Sequence, residues 1–245
     1  NQKIIEKAGF EANIIENHDQ PRGASLFIPE EDYGFYSLSA LAMIILCQRG
    51  LPFLYQGQEI GMSNRKWKYA EFNDLETINQ YHIALEAGMS KEQALKIASH
   101  HSRDNARTPM QWNHNENAGF SIETPWMPVN ENYKIVNVED EEKEYGSILN
   151  FYKRLIAFRK SEEYNEILTY GDFKPMYEEE DHIFAYSRSY GDQKLVLICN
   201  FSSEEKSVEL REDYESVVFV NYEQTTVIGN RLQMKPYECV VYEKR

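Results

Sequence analysis

The residues around which this chain is organised are Ile14-Ile15-Glu16-Asn17-His18-Asp19-Gln20-Pro21-Arg22. The run Ala12 to Glu16 is short, apolar and flanked by turn residues, which is typical of a strand buried on both faces. Polar side chains follow it, and Pro21 ends regular structure. Barrels of parallel strands place their chemistry at this carboxyl end of the strands. The simpler interpretation is a turn in which Asn17 and Asp19 bond their own backbone, and the tripeptide alone favours that one.

A second strand follows after a long helix. Tyr33 to Arg49 is mostly apolar and precedes Gly50, the usual stop residue, so it predicts a well-buried helix. Leu51 to Tyr55 predicts another short buried strand, and a loop containing Glu59 comes after it. Strand, helix and strand joined by a connection of this length predict a parallel crossover unit.

Three more helices are predicted before residue 161, and they run from Asn73 to Ala87, from Ser90 to Ser99 and from Glu139 to Lys160. Ser90 caps the second of them, with Gln93 at the capping-box position. The third has an apolar stripe that includes Tyr145, and its acids come first and its bases last, which matches the helix dipole.

After about Thr169 the hydrophobic period changes from helical to two. Five segments alternate or are β-branched, namely Ile183 to Arg188, Leu195 to Asn200, Ser207 to Leu210, Val217 to Asn221 and Cys239 to Tyr242. Short turns separate them, which predicts an all-antiparallel module, a small sandwich. We therefore expect two domains, residues 1–169 and residues 170–245.

The composition excludes some classes of function. The 40 acidic and 26 basic residues give a formal net charge of -14, and such a surface repels phosphate backbones, so no nucleic-acid partner is expected. No apolar run reaches the length of a membrane span, and no signal peptide is visible, so no membrane partner is expected either. The first residue is not Met, so the start reads as cut.

The three cysteines, Cys47, Cys199 and Cys239, lie far apart, each in an apolar run. Buried free thiols in a reducing compartment are the expected state, and a cytoplasmic location follows from it.

Three motifs occur in order: Asn-His-Asp-Gln-Pro-Arg from residue 17, Gly-Leu-Pro-Phe-Leu-Tyr-Gln-Gly-Gln-Glu-Ile-Gly-Met from residue 50, and Ser-Arg-Asp-Asn-Ala-Arg-Thr-Pro-Met-Gln-Trp from residue 102. With them the chain resembles the α-glucosidase branch of the α-amylase family, glycoside hydrolase family thirteen. Within that branch it is similar to oligo-1,6-glucosidases, dextran glucosidases and trehalose-6-phosphate hydrolases.

The resemblance implies an α/β fold, the C-terminal part of a (β/α)8 barrel followed by a small antiparallel all-β sandwich domain. Residues 12–16 and 51–55 look like barrel strands seven and eight, and residues 139–160 look like the closing helix. In this family the nucleophile and the general acid stand on earlier strands, so neither is expected here. The N-terminal part of the same barrel is then the missing partner, and the isolated chain is expected to be inactive.

The resemblance also assigns candidate site residues. Asp19 corresponds to the family's third carboxylate, which grips sugar hydroxyls and stabilises the transition state, and His18 corresponds to a donor to the same sugar. Arg103 is assigned to the pocket around the innermost glucose, whereas Arg107 is expected to be structural. The simpler alternatives are a loop histidine for His18 and an ion pair with Asp104 for either arginine.

Glu59 has two equal interpretations, at the entrance to the leaving-group site or as an acceptor for the amides of its own loop. Trp112, Phe120 and Trp126 could form a sugar platform, but core packing is the expected role of each.

We expect the complete protein to be a retaining, exo-acting α-glucosidase that releases terminal glucose from short α-glucosides, with α-1,6-linked oligosaccharides favoured. The alternatives are a trehalose-6-phosphate hydrolase, a sucrose isomerase of the same fold, or a catalytically dead relative that acts as a binding or structural subunit. A small oligosaccharide is the expected partner. His100, His101 and His114 lack the spacing of metal ligands, so neither a metal nor a cofactor is expected.

Overall fold

The computed structural model of the chain describes residues 2–5 and 8–244. Asn1, Glu6, Lys7 and Arg245, which the two predicted domains include, lie outside the described residues. The described helices are α1 Gln2–Ile5, α2 Gly23–Phe27, α3 Phe35–Leu46, α4 Leu75–Glu86, α5 Lys91–His101, α6 Val138–Lys143, α7 Ile148–Lys160 and α8 Asn165–Tyr170. The described strands are β1 Ala12–Asn13, β2 Leu51–Pro52, β3 Asp172–Met176, β4 Ile183–Tyr190, β5 Gln193–Asn200, β6 Lys206–Glu209, β7 Ser216–Val220, β8 Thr226–Ile228, β9 Arg231–Met234 and β10 Cys239–Lys244.

The chain forms two compact units that alternate along the sequence. The first unit consists of Asn1–Ile14, Gly34–Phe53 and Phe151–Arg245, and the second consists of Ile15–Tyr33 and Leu54–Asn150. Near residue 170 the secondary structure changes as expected, because α8 ends at Tyr170 and β3 begins at Asp172. The division into domains 1–169 and 170–245 stays a prediction.

In the first unit β1 and β2 pair in parallel, with Ala12 opposite Leu51. Helix α3 lies between them in the chain, so the predicted crossover unit is confirmed. Both strands are shorter than predicted, because in the described residues each pairs with one strand and Pro52 has no N–H to donate. The side chains of Ile14, Leu51 and Phe53 are 47%, 53% and 54% exposed, so the expectation of strands buried on both faces is wrong here.

Helix α3 is buried at every side chain from Ser39 to Leu46. It ends earlier than the predicted Arg49, and Gly50 follows with a φ of 104°. A Cβ at residue 50 would lie 2.4 Å from the carbonyl oxygen of Glu11, so a glycine is required where the chain enters β2.

Two antiparallel sheets form the part of the first unit that follows α8. One has the strand order β3-β4-β5-β10-β7, and the other has the order β6-β9-β8. Their buried side chains pack in one cluster that includes Ala185, Val196 and Val240 from the first sheet and Val208 and Leu232 from the second. The predicted small antiparallel sandwich is therefore confirmed.

The three cysteines are buried free thiols, as predicted. Cys199 and Cys239 are direct neighbours across β5 and β10. Burial raises the pKa of the Cys47 thiol to about 12, so this group is protonated at neutral pH.

The single helix predicted from Glu139 to Lys160 is wrong, because residues 144–147 separate α6 from α7. Ser147 supplies the break: its hydroxyl accepts the N–H of Asn150 at 3.2 Å and donates to the carbonyl oxygen of Glu141 at 2.7 Å. Such a side-chain cap replaces the backbone bonds of a continuous helix. Tyr145, which belongs to the predicted apolar stripe, is 77% exposed.

Buried arginines of the first unit bind main-chain carbonyl groups. Arg188 donates to the carbonyl oxygens of Cys47, Leu168 and Gly171 at 3.0, 2.8 and 2.8 Å. Arg159 binds the segment after α3 in the same way. Burial lowers the pKa of Arg188 to about 10, which still leaves it charged at neutral pH. One guanidinium thereby joins the segments that follow α3 and α8.

Replacing Arg188 by Ala should lower the free energy of unfolding by roughly 3 kcal/mol or more, because several buried carbonyl groups lose their donor. Urea denaturation followed by circular dichroism measures the change. Arg231→Ala is the matched control, since Arg231 is exposed, and its effect should stay within about 0.5 kcal/mol. Equal losses for the two variants would contradict the assigned role of Arg188.

Candidate functional site

The second unit contains a buried ion pair between Glu16 and Arg22. Arg22 Nη1 lies 2.7 Å from Glu16 Oε1, and the side chains are 0% and 1% exposed. The other carboxylate oxygen accepts the N–H of Gly23 at 2.9 Å. Burial raises the pKa of Glu16, and the charge of Arg22 opposes part of the rise. The pair closes the turn that contains residues 17–19.

Arg22 also connects this turn to later loops. Its Nη1 donates to the carbonyl oxygen of Gln56 at 2.7 Å, and its Nε donates to that of Asn105 at 3.2 Å. Its main-chain N–H donates to Oδ1 of Asn64 at 2.9 Å. Segments that are far apart in the sequence are therefore fixed to one guanidinium.

Asp19 is the centre of a group of charges that we name the Asp19 cluster. It consists of His18, Asp19, Arg103 and Arg107, which are all at least partly exposed, and of Asp74, which is buried. Asp19 Oδ1 lies 2.9 Å from Arg107 Nη2 and 3.5 Å from Arg103 Nη1, and Asp19 Oδ2 lies 3.2 Å from His18 Nε2. The structure thus brings together His18, Asp19 and Arg103, although Asp19 and Arg103 are 84 positions apart.

Asn17 forms the turn that the tripeptide alone favoured. Its Oδ1 accepts the N–H of Asp19 at 2.8 Å, which is the geometry of an Asx-turn. This bond uses the main chain of Asp19, whereas the carboxylate of Asp19 contacts the arginines. The turn interpretation and the site interpretation of this tripeptide therefore both hold. Asn17 forms the turn, and the carboxylate of Asp19 contacts the arginines.

Asp74 belongs to the Asp19 cluster although sequence reasoning did not identify it. Its Oδ1 lies 2.8 Å from Nε and 2.7 Å from Nη2 of Arg103, and its Oδ2 accepts the N–H of Thr77 to cap α4. Burial by itself would raise the pKa of the Asp74 carboxyl group. The hydrogen bonds from Arg103 and Thr77 together have the larger effect, so the net pKa of Asp74 is lowered. The spacing Asp-x-x-Thr signals the cap, but no sequence pattern signals the arginine.

Arg107, expected to be structural, lies closer to the carboxylate than Arg103 does. Its Nε also donates to the carbonyl oxygen of His18 at 2.9 Å. Asp104, the alternative partner of both arginines, instead accepts the N–H groups of residues 73 and 74 at Oδ2. Arg107 therefore orients the main chain and the side chain of the His18–Asp19 turn together.

Glu59 lies half-buried in its own loop, where Oε2 accepts the N–H of Gly57 at 2.8 Å. Burial raises the pKa of Glu141 to about 7, and the charge of Glu59 adds to the rise. The contact with Gly57 agrees with the interpretation of Glu59 as an acceptor for the amides of its own loop. A role of Glu59 at the entrance to the leaving-group site stays a prediction.

Three aromatic side chains of the segment between α5 and α6, residues 102–137, are exposed, and the expectation that they pack in a core is wrong. Trp112 is 49% exposed, Phe120 50% and Trp126 79%. The loop is ordered instead by polar contacts such as the bond from Asn130 Nδ2 to the carbonyl oxygen of Ser63 at 3.0 Å.

Among residues 2–5 and 8–244, no three His, Cys, Asp or Glu side chains are grouped so that they could hold a metal ion. In the same part of the chain, every helix is too short or too polar to cross a membrane.

Comparison with known proteins gives one family over most of the chain. Residues 1–171 match the α-amylase catalytic domain, and residues 183–241 match the C-terminal domain of the α-amylase SusG. The chain is 39% identical over 248 residues to an oligo-1,6-glucosidase of Bacillus cereus. The alignment covers 99% of this chain and 44% of that enzyme.

Solved structures agree. The trehalose-6-phosphate hydrolase of Bacillus licheniformis is 37% identical with a TM-score of 0.91, and the isomaltulose synthase of Protaminobacter rubrum is 33% identical with a TM-score of 0.88. Each comparison covers 99% of this chain and 44% of the other. The chain therefore spans less than half the length of these relatives.

The parallel crossover unit, the sandwich and these neighbours define the class: the chain is part of a (β/α)8-barrel protein that carries an antiparallel β domain. More closely, it belongs to the α-amylase family, glycoside hydrolase family thirteen. The family and the fold class predicted from the motifs are confirmed.

Replacing Glu16 by Gln keeps the size of the side chain and leaves the charge of Arg22 buried without its partner. We expect the free energy of unfolding to fall by roughly 3–5 kcal/mol, because an uncompensated charge remains in the interior. Urea denaturation at neutral pH measures the loss.

Glu30→Gln is the control for this substitution, since it removes the partner of Lys66 in a pair whose side chains are 94% and 78% exposed. Its cost should be about 1 kcal/mol or less. If Glu16→Gln cost no more than Glu30→Gln, the buried pair would not be what holds the turn.

Proposed function

We propose that the complete protein is a retaining, exo-acting α-glucosidase and that this chain supplies its Asp19 cluster. The convergence of His18, Asp19 and Arg103 on one exposed part of the second unit carries the proposal. A carboxylate held by two guanidinium groups is an oriented acceptor for sugar hydroxyls. The similarity to an oligo-1,6-glucosidase supports the same activity.

In this proposal Asp19 accepts hydrogen bonds from hydroxyl groups of the innermost glucose. These bonds strengthen as the ring becomes oxocarbenium-like, which stabilises the transition state. Arg107 orients the carboxylate of Asp19, and Arg103, anchored by Asp74, limits the pocket to one terminal glucose. His18, whose side chain is 71% exposed, donates to the same sugar, and Glu59 lies at the leaving-group entrance.

The nucleophile and the general acid come from the rest of the barrel in this proposal. Additional parallel strands then pair with β1 and β2 and cover the exposed side chains of Ile14, Leu51 and Phe53. We also propose that residues 1–169 complete the barrel and that residues 170–245 are its β domain. The three buried thiols suit the reducing conditions of the cytoplasm.

Short neutral α-glucosides, α-1,6-linked ones first, are the proposed substrates. The net charge of -14 favours neutral sugars over phosphorylated ones. Trehalose 6-phosphate hydrolysis is the second candidate, and the likeness to the Bacillus licheniformis structure supports it.

A chimera tests the proposal. The part of the Bacillus cereus oligo-1,6-glucosidase outside the aligned region is joined to this chain, and release of p-nitrophenol from p-nitrophenyl α-glucoside is measured. We expect turnover, and we expect Asp19→Asn to lower kcat by about 100-fold or more, because a charged transition-state contact is lost. Asp192→Asn in an exposed turn of the β domain is the control and should leave kcat unchanged. A folded chimera without activity, or one whose kcat does not change with Asp19→Asn, would contradict the proposal.

Residues 1–245 alone should not hydrolyse p-nitrophenyl α-glucoside, because in this proposal they hold neither the nucleophile nor the general acid. The chain should also associate through the uncovered edges of β1 and β2. Turnover by the purified chain, with a rate proportional to its concentration, would show that the reacting carboxylates lie within it. Size-exclusion chromatography measures the association.

A further inference from the structure

The second unit contains an open cavity of about 530 Å³. We name it the Trp126 groove, after an exposed ring in its wall, and its wall includes Glu71, Asn73, Asn117, Pro125, Trp126 and Tyr133. Its volume is in the range of small-molecule sites, about 300–1,000 Å³. None of the residues of the Asp19 cluster lines it.

We propose that the Trp126 groove binds a short neutral oligosaccharide at a site separate from the Asp19 cluster. The proposal goes beyond the proposed function and does not require Asp19 to be catalytic.

Trp126 supplies the stacking surface. Its side chain is 79% exposed, whereas large aromatic side chains are usually highly buried. Pro125 precedes Trp126 and Pro128 follows it two residues later, and both prolines line the groove. The fixed φ of each proline restricts the backbone on both sides of Trp126. A flat apolar face on a restricted backbone can pack against the C–H face of a sugar ring.

Fixed polar groups face the same cavity. Arg65 holds the carboxylate of Glu71 with two hydrogen bonds, from Nη1 to Oε2 at 2.7 Å and from Nη2 to Oε1 at 3.2 Å. The hydrogen bonds from Arg65 also lower the pKa of Glu71, so it stays an ionised acceptor. The amide of Asn117 is oriented by bonds to the carbonyl oxygens of Ser121 and Glu123, both at 3.1 Å. Acceptors and amides in fixed positions suit a ligand with many hydroxyl groups.

The charge of the wall disfavours an anionic ligand. Glu71 is balanced by Arg65, and Glu116 adds a further carboxylate to the lining. The chain as a whole carries a net charge of -14, which repels phosphates and sulfates. A neutral sugar has neither a charge to be repelled nor a charge that needs a counter-ion.

The groove and the Asp19 cluster lie next to each other in the chain. Asn73 lines the groove, and the following residue, Asp74, binds Arg103. The two sites nevertheless share no lining side chain, so substitutions separate them.

Saturation-transfer NMR and titration of tryptophan fluorescence, with isomaltotriose and maltotriose as probes of residues 1–245, test the proposal. We expect the unaltered chain to bind at least one of the probes. Trp126→Ala should weaken binding about tenfold or more, since the stacking face is lost. Tyr133→Phe, which removes a single hydroxyl group, should weaken it about threefold. Asp19→Asn should leave binding at the groove unchanged.

Tyr145→Ala is the control, because Tyr145 is 77% exposed and does not line the groove, and this variant should bind as the unaltered chain does. Circular dichroism checks that each variant is folded. Oligosaccharide binding that is retained in Trp126→Ala but lost in Asp19→Asn would contradict binding at the Trp126 groove. The same result would agree with the proposed function of the Asp19 cluster. A folded chain that binds neither probe, or that binds trehalose 6-phosphate as well as isomaltotriose, would also contradict binding at the groove.

Discussion

One buried guanidinium determines where the loops of the second unit lie. The side chain of Arg22 is fully removed from water, and it bonds to the carboxylate of Glu16 and to carbonyl oxygens of two later loops. A charge in the interior is tolerated only when such partners surround it, so the segments that provide them must meet. The loops that begin at residues 17 and 102 are among those segments, and they carry every residue of the Asp19 cluster except Asp74, which caps α4. The positions of the loops that carry the exposed site are thus coupled to the hydrogen bonds that Nε and Nη1 of this interior charge make.

The exposed charges have a different relation to stability. Asp19 is about half exposed, so its ion pairs with Arg103 and Arg107 contribute little to the free energy of unfolding. What they provide is orientation, because two rigid guanidinium groups fix the direction of one carboxylate. The Glu16–Arg22 pair is buried and stabilises the fold. In the proposed function Asp19 is accessible to solvent and can therefore bind a ligand.

Much of this architecture could be predicted from the sequence, because local patterns determine it. The change of hydrophobic period after residue 169 predicted the sandwich, and the capping box of Ser90 is present as predicted. Strands β3, β8 and β9 escaped prediction. Pro175 interrupts β3, all three side chains of β8 are exposed, and β9 is only four residues long. Asp74 escaped for another reason, because its contact with Arg103 spans 29 residues and leaves no local signal.

The alternation of the two compact units along the chain has a consequence for biosynthesis. The first unit receives its last and largest segment only from Phe151 onward, and that segment holds both sheets. Helix α3 binds this segment, because Asn221 Nδ2 donates to Oγ of Ser39 and the hydroxyl group of Tyr186 donates to the carbonyl oxygen of Ile44. This apolar helix leaves the ribosome before the strands that it contacts, so it is uncovered until they are made, and chaperones can bind it during that interval.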